Sequence, residues 1–303
     1  LLTFNENYAQ HAAACMTSVC ENNAWDDHLF FYLLVDSLSD HASNKFKSFE
    51  DRYGCSVVLK EIHGFMKSFD SDFDTSGWNE IVLVRLLMAH YLPETVNKVL
   101  YLDGDTIVRS SLEQLWETDL TDYLLGAVIE PTAPNSKLKR FNLINSGYFN
   151  AGVLLVNLHK WRLTNAEKQL LNICRYRKHE LSANDQDALN IVCAGKFKVL
   201  SHTYNYANTF DYYSYRFLRL LEIKYSFPSE KEFLAIKNSP CIIHYLGEDR
   251  PWREGSTHRF KDDYWQYAKM SPYSDSLKKE YGWQTYFMMW KILSAQGLKI
   301  SRS

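Results

Sequence analysis

The chain has 303 residues, 46% of them hydrophobic, which is enough for a large core and excludes a disordered chain. Its 34 Lys and Arg against 36 Asp and Glu leave a net charge of −2, so the total provides no field for a polyanion, and nucleic acid is not an expected partner. No apolar run approaches the ~18 residues of a membrane span, and the start of the chain carries no secretory pattern.

Leu1–Phe4 reads as a strand remnant and Tyr8–Val19 as a helix, followed by a buried strand at His28–Val35. Ser39 caps a second helix whose Ala42, Phe46, Phe49 and Tyr53 share a face, and Gly54 is placed to end it. Val57–Glu61 is the next strand, and Lys67–Gly77 is the most loop-like stretch of this half. Ile81–Tyr91 reads as a helix, Lys98–Leu102 and Gly126–Glu130 as strands, and Gln186–Ala194 as a helix for which Asp185 is a candidate N-cap, a role that leaves room for another. This rhythm predicts an α/β fold, a mostly parallel sheet flanked by helices, with ligands gathering beyond the carboxyl ends of the strands.

From about Leu246 the strand rhythm fades. Ser276–Ser303 carries Lys278, Lys279, Lys291, Lys299 and Arg302 against Glu280 alone, a tail of +4. Trp283, Tyr286, Phe287, Trp290 and Leu293 fall on one helical face of it. A basic, Trp-bearing amphipathic helix suits a membrane surface, and equally a docking face on the domain or on another subunit. The expected division is therefore a domain over residues 1–252 and an aromatic-rich helical extension over 253–303.

Six cysteines (Cys15, Cys20, Cys55, Cys174, Cys193, Cys241) include no C-x-x-C pair and lie mostly in apolar stretches. They read as small buried hydrophobes in a reducing compartment rather than as a disulfide framework. The 20 Tyr, 17 Phe and 8 Trp read first as core and surface filler, although carbohydrate sites and lipid interfaces also favour such rings.

The strongest local signal follows the strand at Lys98–Leu102. Asp103 and Asp105 flank Gly104, and alternate residues of an extended chain face the same side, so the two carboxylates can converge. Adjacent anions at a dry strand end need a counter-cation or a raised pKa, and hard oxygen ligands suit Mg²⁺ or Mn²⁺. Three readings stand on this motif alone: an Asp-Gly-Asp turn, a phosphotransferase of the haloacid-dehalogenase type with Asp103 as nucleophile, and a glycosyltransferase holding a metal on a nucleotide diphosphate.

Several motifs in order carry a wider resemblance. They are Asn5-Glu6-Asn7-Tyr8, Arg85, Tyr101-Leu102-Asp103-Gly104-Asp105, Tyr148-Phe149-Asn150-Ala151-Gly152 with the apolar run to Leu158, Asn184-Asp185-Gln186-Asp187, and His244-Tyr245-Leu246-Gly247 with Arg250-Pro251-Trp252. Over roughly Leu1–Trp252 the chain resembles the family 8 retaining glycosyltransferases, which include bacterial lipopolysaccharide galactosyl- and glucosyltransferases and glycogenin. The resemblance implies a Rossmann-like GT-A fold and, at matched positions, Asp103, Asp105 and His244 as metal ligands, with Mn²⁺ favoured over Mg²⁺ by the imidazole.

It further implies a nucleotide-sugar site. Thr3, Asn5, Asn7 and Tyr8 would meet the nucleotide, with Gly104 between the metal ligands and Gly247 and Arg250 at the diphosphate. Arg85, Asn150, Asp185 and Gln186 would surround the sugar, Asp185 and Gln186 nearest the reacting carbon. Two positions depart from the family pattern: Arg250 stands where Lys is usual, and Asn5 where a relative carries Asp. Arg keeps the charge and adds a second N–H for phosphate, and the Asn5 amide oxygen can still accept the uracil N3–H. Gln186 stands where a retaining enzyme would place a nucleophile, and an amide is a poor one, which favours a front-side route.

The implied activity is transfer of a hexose, glucose or galactose, from a UDP-sugar to a hydroxyl of a glycan, glycolipid or glycoprotein, with a bacterial cell-envelope glycan as the expected setting. The implied location is cytoplasmic, with peripheral contact at the inner face of the membrane through the tail. The alternatives are a non-catalytic glycosyltransferase-like scaffold that binds sugar and, more remotely, a dehalogenase-like phosphatase.

Overall fold

In the computed structural model, which describes residues 1–23, 28–64, 80–221 and 227–280, the opening apolar runs form two β-α-β units. They are β1 (Leu2–Phe4), α1 (Ala9–Asn22), β2 (Phe30–Val35), α2 (Asp40–Tyr53) and β3 (Ser56–Glu61). The three strands pair in parallel, Leu2 opposite Leu33 and Phe31 opposite Val57. Ser39 Oγ accepts the Ala42 N–H at 3.3 Å and Gly54 turns left-handed at φ 65°, so α2 starts and stops at its sequence signals. The Lys67–Gly77 stretch and the helical face read from Trp283 to Leu293 lie outside the described residues.

A 3₁₀ segment, Glu80–Leu87, runs into the short α3 (Met88–Tyr91). The expected single α-helix over 81–91 is corrected here: the tighter winding sets side chains three apart in line, and Arg85 Nε folds onto the Val82 carbonyl at 3.1 Å. Next come β4 (Lys98–Leu102), β5 (Thr106–Val108), α4 (Glu113–Trp116), β6 (Leu125–Ile129), α5 (Asn135–Arg140) and β7 (Phe149–Asn157). β7 runs antiparallel to both β4 and β6. After α6 (Leu158–Leu163), α7 (Ala166–Tyr176) and α8 (Asn184–Val192), β8 (Phe197–Val199) adds parallel to β6.

Two hydrogen bonds join β1 to β4: the Leu1 N-terminus donates to the Leu100 carbonyl at 2.8 Å, and Leu102 N–H donates to the Leu1 carbonyl at 3.0 Å. The main sheet thus runs β3-β2-β1-β4-β7-β6-β8, parallel on one side and mixed on the other. From β1 the chain winds outward to β3, then returns to β4 on the opposite flank. The β1/β4 boundary is therefore a switch point, where an open α/β sheet leaves a crevice at its strand ends.

The remaining elements are β9 (Tyr206–Ala207), α9 (Thr209–Tyr212), α10 (Tyr215–Leu221), α11 (Glu230–Asn238), β10 (Ile242–His244) and α12 (Lys261–Met270). β10 lies between β5, antiparallel, and β9, parallel, in a small second sheet. β7 divides the core by its two-residue period. Leu154 and Val156 pack with Trp161 and Leu170 on one face, while Val153 and Leu155 pack with Met16, Phe46 and Phe49 on the other. All six cysteines are buried free thiols.

Beyond residue 252 the chain packs on α1. Tyr264 Oη lies 2.7 Å from His11 Nδ1, and Asn22 Nδ2 donates to Tyr267 Oη at 2.8 Å. Gln10 grips Lys278 from both sides, donating to its carbonyl at 3.0 Å and accepting its N–H at 2.9 Å. Among the described residues no helix is long and apolar enough to cross a membrane.

Candidate active site

Asp103-Gly104-Asp105 is the crossing from the main sheet to the small one, since β4 ends at Leu102 and β5 begins at Thr106. The turn geometry expected of these residues is present, with Thr106 Oγ1 donating to the Asp103 carbonyl at 2.8 Å. β10 pairs with β5 and sets His244 opposite Thr106, which carries the imidazole to the same end. His244 Nε2 lies 3.3 Å from Asp105 Oδ1 and 3.8 Å from Asp103 Oδ2. One ligand atom from each side chain falls within 4.8 Å of the others.

The other oxygen of each aspartate is held by donors. Asp103 Oδ1 accepts Tyr101 Oη–H at 2.6 Å and pairs with Arg85 Nη1 at 2.9 Å. Asp105 Oδ2 accepts Tyr8 Oη–H at 3.2 Å and faces Arg250 Nη2 at 3.7 Å. Burial pushes the Asp105 carboxyl up, but a proton on the facing His244 nitrogen, with Arg250 and Tyr8, outweighs it and holds the group at about 2. Each carboxylate thus keeps one oxygen fixed and turns the other to the imidazole.

These residues form one wall of a cavity of about 490 Å³. Thr3, Asn5, Tyr8, Arg85, Asp103, Gly104, Asp105, Asn150, Asp185, Gln186, His244, Gly247 and Arg250 all line it. Asn7 does not: it is exposed on the 3₁₀ turn Glu6–Tyr8, whose first residue is capped by Asn5 as its Oδ1 accepts the Tyr8 N–H at 3.3 Å. Ile81, Val82, Ser182, Ala183, Asn184 and Leu246 also line the cavity, although the sequence pattern assigned them nothing. Each is a close chain neighbour of a residue that was assigned, which is the signal that could have found them.

Arg85, 6% exposed, bridges Asp103 to Asp185: it pairs through Nε with Asp185 Oδ2 at 2.9 Å and donates to the Ala151 carbonyl at 2.9 Å. Burial lifts the Asp185 carboxyl to about 6 against the pull of Arg85. Asp185 does not serve as the N-cap of α8, the second role that the sequence left open to it beside the sugar site. The helix starts at Asn184, itself left-handed at φ 30°, and Asp187 Oδ2 takes the N–H groups of Ser182 (2.7 Å) and Ala183 (2.8 Å) instead. The Asp185 carboxylate is thereby left facing the cavity.

The profile of glycosyl transferase family 8 matches residues 1–256. The chain belongs to glycosyltransferase family 8. Lipopolysaccharide 1,3-galactosyltransferase of Salmonella typhimurium is 24% identical, over 90% of this chain and 83% of that protein. Lipopolysaccharide 1,2-glucosyltransferase of Escherichia coli is 27% identical, over 89% and 77%. General stress protein A of Bacillus subtilis is 22% identical, over 89% and 92%. Among solved structures, galactosyltransferase LgtC in complex with donor and acceptor sugar analogues superposes with a TM-score of 0.73 at 24% identity, over 89% of this chain and 95% of that one. The fold is thus the GT-A type expected from the sequence.

The run Phe149-Asn150-Ala151-Gly152 bulges away from β6. On the β4 side β7 stays in register, Leu102 opposite Val153, and Asp103 N–H extends the ladder to the Gly152 carbonyl at 2.8 Å. On the β6 side Ala127 pairs with Leu154 but Ile129 with Phe149, so the residues between leave the β6 ladder. Their freed groups serve the cavity wall: Ala151 N–H donates to Gln186 Oε1 at 2.9 Å, and Gly152 N–H to Asn150 Oδ1 at 2.9 Å. Gly152 is obligatory, because a Cβ there would stand 2.0 Å from His244 Cε1. Gly247 is set by its left-handed backbone at φ 74°.

Glycosyltransferases of this family and fold typically use a divalent metal. The donor set fits one: with their other oxygens turned to Arg85 and Arg250, two carboxylate oxygens converge with an imidazole nitrogen at 3.3 and 3.8 Å, a hard-oxygen and nitrogen set that suits a divalent cation.

Proposed function

We propose that this chain is a metal-dependent retaining hexosyltransferase that moves glucose or galactose from a UDP-sugar to an acceptor hydroxyl on a glycan, glycolipid or glycoprotein. Asp103, Asp105 and His244 hold Mn²⁺, or Mg²⁺ in its place. The convergence of these three residues, distant in sequence, on a cavity that also holds Arg85, Asp185 and Arg250 carries the reading. The catalytic domain spans residues 1–252 and the extension 253–303, with the first helix of the extension docked on α1.

A divalent metal held by Asp103, Asp105 and His244 would supply Lewis-acid neutralisation of the charge that grows on the leaving diphosphate. Arg250 adds two N–H groups to that diphosphate, and Tyr8 Oη, 2.7 Å from Arg250 Nη1, holds the guanidinium in place. The Gly247 backbone borders the same oxygens, while Thr3 and Asn5 take the nucleotide end, with Tyr8 beneath the base and Asn7 at the rim. Arg85, Asn150 and Asp185 orient the sugar hydroxyls. The Gln186 Oε1 already accepts the Ala151 N–H, which supports front-side attack, the leaving phosphate oxygen taking the proton of the incoming hydroxyl. On this reading the enzyme works in the cytoplasm on cell-envelope acceptors, and its tail touches the inner face of the membrane.

The test is a panel of nucleotide sugars assayed for hydrolysis and for thermal stabilisation with Mn²⁺. UDP-glucose or UDP-galactose is expected to be cleaved and to raise the melting temperature. Asp105→Asn or His244→Ala should abolish Mn²⁺-dependent cleavage while the metal-free melt stays within a few degrees. Full activity in chelator overturns the metal site; no cleavage of any UDP-sugar overturns the enzyme reading in favour of a sugar-binding scaffold.

A further inference from the structure

His244 meets the aspartates with one ring nitrogen and is held from behind by the other. Its Nδ1 lies 2.9 Å from Asn205 Oδ1, and Asn205 Nδ2 lies 2.9 Å from Asn150 Oδ1. The direction of this chain follows from a single donor that cannot be reversed. The Gly152 backbone N–H needs an acceptor and finds Asn150 Oδ1 at 2.9 Å. That turns the Asn150 oxygen inward and its Nδ2 toward Glu130 Oε2 at 3.4 Å. Asn205 must then present Nδ2 to that oxygen, which leaves Oδ1 for the imidazole. An amide oxygen only accepts, so Nδ1 carries a proton, and in the neutral ring the lone pair is on Nε2, toward Asp103 and Asp105. His244 and Asn205 are each 2% exposed and Asn150 9%.

We propose that Asn205 is a positioning residue of the metal site. It selects the His244 tautomer whose Nε2 can ligate, and it holds the ring in place against Gly152. Asn150, oriented by the Gly152 N–H, is the second link, so the family motif that borders the sugar also sets the metal ligand from behind. The sequence pattern assigned no role to Asn205. The inference rests on the metal-site reading above.

The experiment titrates the full chain with Mn²⁺ alone and follows the six-line electron paramagnetic resonance signal of the free ion, which disappears on binding. Asn205→Leu should weaken Mn²⁺ binding by ~10–100-fold, the range found when the orienting partner of a ligating histidine is removed. Asn205→Asp keeps an oxygen for the Nδ1 proton and should bind at least tenfold more tightly than Asn205→Leu. If Asn205→Leu does not melt cooperatively, Asn205→Ser, which is small and short of the ring, replaces it with the same expected loss. Wild-type affinity in the variant lacking the oxygen, or equal weakness in Asn205→Asp, overturns the proposal. If the wild type binds Mn²⁺ no better than His244→Ala, the metal-site reading itself has failed.

Discussion

Gln186 is held at both ends of its amide. Its Oε1 accepts the Ala151 N–H and its Nε2 lies 3.2 Å from Tyr148 Oη, whose proton goes to Asp187. An oxygen fixed in this way serves the wall of the cavity better than it serves as a nucleophile. Gln186→Ala should therefore reduce transfer only modestly, by about tenfold or less. It should also cost ~1–3 kcal/mol of stability, because the buried Ala151 N–H loses its acceptor. Abolished turnover with a glycosyl adduct trapped on a side chain would show double displacement instead. Asp185 gives a prediction of opposite character. Its folded carboxyl titrates at about 6 against the ordinary aspartate value of 3.8, so the folded state binds the proton more tightly than the unfolded chain does. The resulting stability is fully present below the lower value and is lost as pH rises through the higher one. In chelator, the melting temperature of the wild type relative to Asp185→Asn should fall between about pH 4 and pH 6 and then level off. A flat difference across that window would show that burial does not perturb this carboxylate.

Strands legible from the sequence are those whose pattern is local. β2, α2 and β4 follow from apolar runs, a cap and a glycine stop, and the convergence of Asp103 and Asp105 follows from alternation along an extended chain. β7 was legible as a motif but not as a geometry. Eight of its nine residues are buried, so no alternation marks its faces, its antiparallel register or its departure from β6. The meeting of His244 with the aspartates depends on β5 pairing with β10, strands far apart in the chain, which no spacing reveals; the family resemblance supplied it. Asn205 escaped both routes, because it acts from behind a ligand and lies in no quoted motif. The bulge also yields a test. In Gly152→Ala the new methyl would meet the His244 ring at 2.0 Å, and turning the ring away breaks its bond to Asn205. Mn²⁺-dependent cleavage should drop at least tenfold, roughly the cost of a lost orienting contact. Unchanged cleavage would mean that the imidazole is not held at this place.

Taken whole, the molecule divides its charge unevenly. The net −2 is the sum of +4 over Ser276–Ser303 and −6 over the rest, so the end of the chain is basic and the remainder acidic. The described chain is fastened on that side up to Glu280, which accepts the Trp252 indole N–H at 3.1 Å and pairs with Arg253 at 3.0 Å. Removing Gly282–Ser303 therefore leaves the contacts of α12 with α1 in place, while it takes away Lys291, Lys299, Arg302 and the aromatic face of Trp283 and Trp290. Each basic residue near an anionic bilayer contributes about 1 kcal/mol, so if the tail reaches a membrane, three of them with two Trp rings would give a reversible, salt-sensitive attachment. The full chain should sediment with anionic vesicles at low salt and release at high salt, and the truncated chain should remain in the supernatant with its UDP-sugar cleavage unchanged. Equal sedimentation of the two would remove the membrane role. A truncated chain that stays soluble but melts several degrees lower, with no vesicle binding by the full chain, would assign the tail to packing on the domain instead.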